Sequence, residues 1–519
     1  MYKLLLCWRY LRMRYIALIC IVSVMLGVAT MIVVNSVMAG FSQKLTAEMN
    51  AMMGDLDVQV HSMDGVADAP AHMNAIRHAA GEYIEGMSPT ATVPALIYMQ
   101  IRGGLSTRPI VLVGIDEATY GTVSGVGRYL QHPANRQQLS FDLKESGYDQ
   151  VDRLADDPAK TKRWAGMEFS GWEYRRARAE QQQLREEMYK RAQAEAAASA
   201  AGQPGQATIA DPFKTMSSDD GARGSDEQDF NSAREQHTGI VLALSEVAAR
   251  VDDKTMNMEN RPGDDMRVSF PKASLPPEAI SEFYTLVDVY QDPMRMDNAS
   301  FAFVPLAHLQ KSRGMIDPTT GMGKFTAIQI KLKPGADVLA VRDKLRTVFR
   351  EPLYTVSTWQ DKQGLLLAAI RQETFLLNVL LFFIVAVAGF GILSIFSMIV
   401  IEKTRDIGIL KSLGASGMGV MGIFLSYGLT LGLVGAGAGV ALGVAFSMNI
   451  NRIKDIVEDV TDRPIFDQSI YFFDKLPTII DPWTIAWISG GAVAIAILAS
   501  ILPARRAACL HPVRALRFE

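Results

Sequence analysis

Cysteine is nearly missing from this sequence. The three present, Cys7, Cys20 and Cys509, lie at the two ends of the chain and outside its long polar middle. That excludes a disulfide scaffold and a closed Cys/His zinc cluster. Charge is also sparse, at 21% of residues, and 52 Lys and Arg against 55 Asp and Glu leave a net charge of −3. With no basic excess to neutralise a run of phosphates, nucleic acid is not a partner. The seven histidines form no H-x-x-x-H pair, and His61, His72, His78 and His237 have no carboxylate at a recognised ligand spacing, so no metal site is expected. The segment Gly321-Met322-Gly323-Lys324 has Pro318 where a phosphate loop needs its first glycine and Phe325 where it needs Ser or Thr, so it reads as a turn before a strand. Nothing in the residue inventory supports a catalytic role.

What the sequence does have is four long uncharged apolar blocks, at 15–43, 374–401, 412–451 and 482–504. Each reaches the roughly 20 residues a helix needs to cross about 30 Å of hydrocarbon. None contains Asp, Glu, Lys or Arg, which leaves a proton relay within the bilayer without its usual parts. The first block follows Lys3, Arg9, Arg12 and Arg14, as a cleavable signal would. Its length and the helical continuation through Phe41-Ser42-Gln43-Lys44 favour a retained anchor. Basic residues flank the start of the first block and the end of the fourth (Arg505, Arg506, Arg514, Arg517), and Lys403, Arg405 and Lys411 lie between the second and third. The positive-inside rule therefore predicts both termini in the cytoplasm and the long middle segment outside, in a bacterial periplasm.

The predicted fold is an α-helical membrane protein with four transmembrane helices, one before and three after a large periplasmic α+β domain. The predicted spans are 16–40, 374–401, 417–447 and 482–504. A cytoplasmic amino terminus covers 1–15, the periplasmic domain 41–373, a cytoplasmic helix 402–416, a periplasmic loop 448–481 and a cytoplasmic carboxyl terminus 505–519. Within the outer domain, β-α-β patterns over about 55–101 and 325–359 predict one membrane-proximal module, with alternation at 55–61 reading as a half-buried strand. Short β-like runs over about 102–124 and 238–310 predict a second module inserted into the first. Residues 125–237 read as a charged insertion, with a polar helix over 173–201 and disorder over 202–229, standing either as a solvated excursion or as a binding arm. Leu45, Met49 and Met52, at helical spacing within 42–53, suit a stalk on the first span.

Between the second and third blocks, Ile407, Leu410 and Leu413 recur every three residues beside Arg405, Asp406 and Lys411, and Gly414 can end such a helix in the left-handed conformation. Two readings stand: a helix lying on the headgroups, or a peg docking into a soluble partner. The run Glu402-Lys403-Thr404-Arg405-Asp406-Ile407-Gly408-Ile409-Leu410-Lys411-Ser412-Leu413-Gly414-Ala415-Ser416 resembles the coupling segment of the FtsX/MacB superfamily of ABC-transporter permeases. Asn35-Ser36-Val37-Met38-Ala39-Gly40-Phe41 resembles most the lipoprotein-releasing permeases of LolC/LolE type. Pro503-Ala504-Arg505-Arg506 with Pro512-Val513-Arg514-Ala515-Leu516 agrees with the superfamily.

The resemblance implies a separate ATPase subunit carrying ATP and Mg²⁺, with no cofactor bound by this chain. It also implies a second permease subunit, identical or not, and ATPase contacts through Asp406, Ile407, Ile409, Leu410, Lys411, Leu413, Gly414 and Ala415. For a lipoprotein releaser in the inner membrane, a periplasmic carrier would take the cargo. Val33, Val37, Met38, Phe41, Phe375, Val379, Phe382 and Phe383 would then line a lipid cleft, and lipid contact or helix packing explains the same residues equally. MacB-like efflux of drugs, peptides or toxins, and an FtsX-like scaffold that activates a cell-wall hydrolase, remain as alternative functions.

Overall fold

The computed structural model describes residues 15–52, 54–62, 64–101, 104–153, 161–200, 230–251, 255–274, 276–291, 300–362, 364–461 and 475–511. The basic residues at 3, 9, 12 and 14, the stretch 202–229 expected to be disordered, and the motif at 512–516 lie outside them. The chain divides into two compact units, a head of residues 48–362 and a helical unit of 1–47 with 363–519.

Helix α1 (Tyr15–Met52) is followed by the head elements β1 (Leu56–Val60), α2 (Ala69–Ala80), β2 (Ile84–Ile101), β3 (Gly104–Ile115) and α3 (Trp172–Ala200). Then come β4 (Thr238–Ala243), β5 (Asp265–Pro271), β6 (Ala279–Tyr290), β7 (Ser300–Pro305), α4 (Leu306–Arg313), β8 (Ala327–Leu332), α5 (Val338–Val348) and β9 (Tyr354–Thr358). These nine strands form one sheet in the order β9-β1-β8-β2-β3-β7-β4-β6-β5, apart from a second sheet of the short strands Arg163–Ala165, Thr255–Met258 and Ala248–Arg250, and β2 pairs with β5 as well. That last pairing, Leu96 to Tyr98 against Arg267 to Ser269, closes β2-β3-β7-β4-β6-β5 into a six-stranded barrel. Closure leaves those strands without the free edges that recruit other chains.

The barrel is filled by Val93, Ile97, Leu112, Ile240, Tyr284 and Leu286. Strands β9, β1 and β8 extend from the first half of β2 as an open sheet, whose core joins Leu56, Val58, Ile328 and Ile330 to Ile76 of α2 and to Val341 and Leu345 of α5. Both helices begin on aspartate caps: Asp68 accepts from the Ala71 amide, and Asp337 from those of Leu339 and Ala340.

Three sequence expectations change here. The two head modules are not separate, because the 18-residue β2 belongs to both, pairing with β8 over its first third and with β3 over the rest. Strand β1 is not half-buried: it lies between β9 and β8, and only Gln59 of its five residues is exposed. Its acids are matched locally, since Asp55 accepts from the Leu332 amide at 2.8 Å and pairs with Lys331 at 3.1 Å, while Asp57 pairs with Lys362.

Residues 125–237 are not wholly a solvated insertion either. Val126, Tyr129, Leu130, Phe141 and Leu143 are buried in a cluster with Val241, Val287 and Phe303, and Tyr148, Trp164 and Met167 join the barrel core. These anchors are spaced with neither helical nor strand period, so periodicity could not find them. Helix α3 begins with Arg175 and Ala179 buried, whereas Leu184, Met188 and Tyr189 stand in solvent.

The segment preceding α3 is pinned by Asp288. Its carboxylate is fully buried and accepts from the amides of Gln131, His132 and Val289 and from Asn135 Nδ2 at 2.7 to 3.2 Å. Burial pushes this carboxyl up to about 6, against the pull of those four donors.

The helical unit contains α1 as far as residue 47, together with α6 (Gly364–Glu402), α7 (Thr404–Ser412), α8 (Gly417–Met448), α9 (Ile450–Thr461) and α10 (Pro482–Cys509). Among the described residues four helices are long and apolar enough to cross a membrane, over Leu18–Ala47, Leu367–Glu402, Gly417–Met448 and Pro482–Cys509. Lipid tails are as apolar as leucine, so helices associate in a bilayer by close packing, which small residues permit. Helix α8 shows this twice. Gly428 and Gly432 receive Ser500 and Ala496 of α10, while Gly435, Gly439 and Gly443 receive Val24, Val28 and Ile32 of α1.

Two outcomes test this account. A Cβ at Gly439 would fall 2.8 Å from both the Met25 carbonyl and Val28 Cβ, whereas one at Gly437 meets nothing within 4 Å. Gly439→Leu is therefore expected to cost about 1–3 kcal/mol by overpacking, and Gly437→Ala nearly nothing, as read from thermal unfolding in detergent. For Asp288, the raised carboxyl means the folded head holds this proton more tightly than the unfolded chain does. The resulting stability is fully present below about pH 4 and is lost as pH rises through about 6, a change of about 3 kcal/mol. Protection of the Gln131 and His132 amides, measured as exchange relative to the intrinsic rate at each pH, should fall over that window, and Asp288→Ala should remove that fall.

Candidate coupling site

Helix α7 forms where the chain reverses between two spans. Thr404 Oγ1 donates to the carbonyls of Val400 and Ile401 at the end of α6, and Lys403 pairs with Asp406 at 2.9 Å. At the other end Gly414 adopts φ of +95°, its amide donating to Lys411 O and that of Ala415 to Leu410 O. This is the left-handed ending that glycine allows without a Cβ clash. Ser416 then caps α8 by accepting from the Gly419 amide at 3.1 Å.

The stripe read from the sequence divides between two faces. Ile407 is buried with Val400, Val420 and Ala507, so it packs α7 onto the ends of α6, α8 and α10, and Ala415 lies against the same cluster. Lys411 reaches inward too: its ammonium donates to the carbonyls of Ala508 at 2.8 Å and Leu510 at 2.6 Å. A cation is favourable there, at the negative end of α10.

The remaining residues face outward. Ile409 and Leu410 are about two-fifths exposed, Leu413 is 81% exposed, Asp406 is half exposed, and a Cβ at Gly414 would meet nothing within 4 Å. Met418, at the first turn of α8 and 83% exposed, extends this apolar knob and was missed by sequence reading, since it falls inside an apolar block. Of the eight residues singled out, Asp406, Ile409, Leu410, Leu413 and Gly414 thus face outward. Ile407, Lys411 and Ala415 hold the presenting helix.

The eight cleft residues flank a contact between α1 and α6. Asn35 Nδ2 donates to Asn378 Oδ1 at 2.9 Å and to the Met31 carbonyl at 3.0 Å, and Val24, Val28 and Ile32 pack with Val385, Ala388 and Ile392. Val33, Val37, Met38 and Phe41 are half-buried on α1, while Phe375, Phe382 and Phe383 point away from the helical unit and Val379 is partly exposed. Within this chain these rings do not wall a cleft. Asn378 was not singled out from the sequence, where a lone Asn in an apolar block carries no periodic signal.

Residues 378–512 match the family described as FtsX-like permease C-terminal. Over 198 residues the chain is 31% identical to the lipoprotein-releasing system transmembrane protein LolC of Xylella fastidiosa, covering 38% of this chain and 48% of that one. It is 26% identical over 298 residues to LolE of Haemophilus influenzae, covering 56% and 67%. Against the macrolide export ATP-binding/permease protein MacB of Bdellovibrio bacteriovorus it is 25% identical over 209 residues, covering 38% and 29%. The chain thus spans about half the length of the LolC it matches.

The placement of Lys411 predicts that Lys411→Met, which keeps the apolar stem and leaves every outward residue in place, speeds hydrogen exchange along α7. The expected change corresponds to about 2 kcal/mol, the usual worth of hydrogen bonds to a charged donor; unchanged exchange would show that Ile407 alone seats the helix. The chain carries an FtsX-like permease C-terminal domain over residues 378–512 and is similar to permease proteins of Lol and MacB type.

Proposed function

We propose that this chain is the permease subunit of an inner-membrane ABC transporter. A separate ATPase grips the knob on α7, and the cargo is lipoprotein released to a periplasmic carrier. The observation that carries the reading is the division of α7 into an anchored face, Ile407 and Lys411, and an exposed apolar one, Ile409, Leu410 and Leu413. A helix seated in this way moves as one piece with the ends of three spans, so a push on the knob becomes a displacement of the helices. ATP and Mg²⁺ belong to the partner, and the work reaches the outer side mechanically.

Helices α1 and α6 are the spans whose chain continues into the head, and they enter it at β1 and β9, which pair along their whole length. Relative motion of the two spans would therefore act on neighbouring strands of one sheet, with the head on the periplasmic side. A second permease subunit would complete the lipid cleft beside Phe375, Phe382 and Phe383. Each buried methylene of an acyl chain is worth about 0.8 kcal/mol, so pulling several chains from a leaflet requires external work on the scale of ATP hydrolysis. The longer match to LolE, over 56% of the chain against 38% for MacB, supports lipoprotein over macrolide cargo.

The test separates coupling from cargo. Leu410→Glu with Leu413→Glu should abolish co-purification of an ATPase by at least about tenfold, as for loss of two interface anchors, while membrane insertion is unchanged. Retained co-purification would remove the coupling role. Depleting the chain should strand mature lipoproteins in the inner membrane; normal sorting with coupling intact would leave a permease for another cargo.

A further inference from the structure

The loop expected between the third and fourth spans contains a helix that sequence reading did not separate from it. Helix α9 starts two residues after α8 ends, and Ile450, Ile453, Ile456, Val457 and Val460 recur at three- and four-residue steps. Ile456 is 61% and Val460 80% exposed, so among the described residues nothing covers this part of the stripe. The other side bears Arg452, Asp455, Glu458 and Asp459 together with Lys454, which is buried, and has no cationic excess.

The level of α9 along the spans follows from packing. Gly428 faces Ser500 and Gly432 faces Ala496, and continuing that antiparallel register places Asp481 level with the last turn of α8. Trp483 and Trp487, both 78% exposed, therefore lie about 8 and 14 Å on the bilayer side of the α9 start, by the helical rise. Exposed tryptophans at such a height mark the boundary between headgroups and hydrocarbon. Asp481, capping α10 through the Trp483 and Thr484 amides, marks its wet side.

The first turn of α9 is also tied down. Asn451 Oδ1 accepts from the Leu476 amide at 2.8 Å and its Nδ2 donates to the Leu476 carbonyl, while the Ile479 amide donates to Ser36 O of α1.

We infer that α9 is an in-plane lipid-binding helix, lying in the headgroup layer at the end of the spans opposite α7, with Ile453, Ile456, Val457 and Val460 turned toward the acyl chains. Its occupant is the bilayer itself. An apolar stripe beginning at the membrane boundary, continuous with lipid-facing spans and level with an exposed tryptophan pair, meets lipid before any protein. Because its polar face carries no cationic excess, the contact does not depend on anionic lipid.

Spin labels report this directly. In full-length protein with Cys7→Ser and Cys509→Ser, the buried Cys20 being left in place, labels are put at Ile456→Cys, Val460→Cys and, on the polar face, Asp459→Cys. The protein is reconstituted in phosphatidylcholine bilayers with and without phosphatidylglycerol. The ratio of oxygen to water-soluble nickel-chelate accessibility should be about threefold or more higher at 456 and 460 than at 459, as for a helix buried about 5–10 Å into the interface, and equal in both lipids. Aqueous exposure at all three sites would overturn the inference. So would shielding of 456 and 460 from both reagents, which would identify a covering protein, either a second copy or another chain. Should the labelled variants insert poorly, tryptophan quenching by lipids brominated near the headgroup, compared between wild type and Trp483→Phe with Trp487→Phe, tests the assigned height. Loss of less than half of the quenching in that variant would overturn it.

Discussion

Helix α8 sets the geometry of the helical unit, because its glycines let two backbones approach it more closely than any side chain would permit. At Gly435, Gly439 and Gly443 it takes the β-branched ridge of α1, and at Gly428 and Gly432 it takes Ser500 and Ala496 of α10. Nothing in a bilayer drives helices together as water does in a soluble core, so complementarity of this kind has to supply the association. The seat of α7 is made from Val400, Val420 and Ala507, one residue from each of three helices, and it exists only while those helices keep their places. The packing of glycine in the membrane and the pose of the outward knob are therefore one constraint expressed at two depths.

The head obeys a related economy. Its two connections to the spans leave from β1 and β9, which exchange a full ladder from Leu56 and Thr358 to Val60 and Tyr354. The acids that a buried strand would otherwise avoid are answered where they stand, Asp55 by Lys331 and the Leu332 amide, Asp57 by Lys362. Charged pairs of this sort add little net stability when compared with apolar replacements, but removing one partner is costly, so they fix register. Strand β2 then carries that register into the barrel without a break, since the same 18 residues pair with both parts. Under the proposed function, a head built this way answers motion of α1 and α6 as a body.

Sequence periodicity was enough wherever one physical rule acted alone. Length and the lack of charge marked the long helices, and alternation marked the strand at 327–332. Gly414 was readable as a helix ending because only a residue without a Cβ takes φ of +95° freely. The failures share a cause: the deciding partner is remote in sequence. Val126, Tyr129, Phe141 and Tyr148 pack against strands more than 90 residues later in the chain, so they looked like solvated loop. The stripe of α7 looked uniform until Val420 and Ala507 claimed Ile407 and left Leu410 and Leu413 outside. Lys411 looked like a contact for a partner because the carbonyls it satisfies lie about 100 residues away on α10. Asn378 carried no signal before Asn35 was placed opposite it.

Two short amphipathic helices thus sit at opposite ends of one set of spans, and their shapes argue for different occupants. On α7 the exposed apolar atoms gather at one end, where Leu413 and Met418 project on either side of a left-handed glycine, and Arg405 and Asp406 stand in the first turn at the other end. A knob of that kind offers little area to a flat surface but fits a socket, and the charges at the start of the helix would give a protein partner something to orient against. On α9 the apolar residues run from Ile450 to Val460, about 15 Å along a single line, without a projecting end. A line of that length loses little by meeting a fluid layer and would need an equally long groove to be covered by protein. Under the two proposals, the same hydrophobic driving force would select a folded partner at one end and the lipid boundary at the other, through the distribution of a handful of side chains along two short helices.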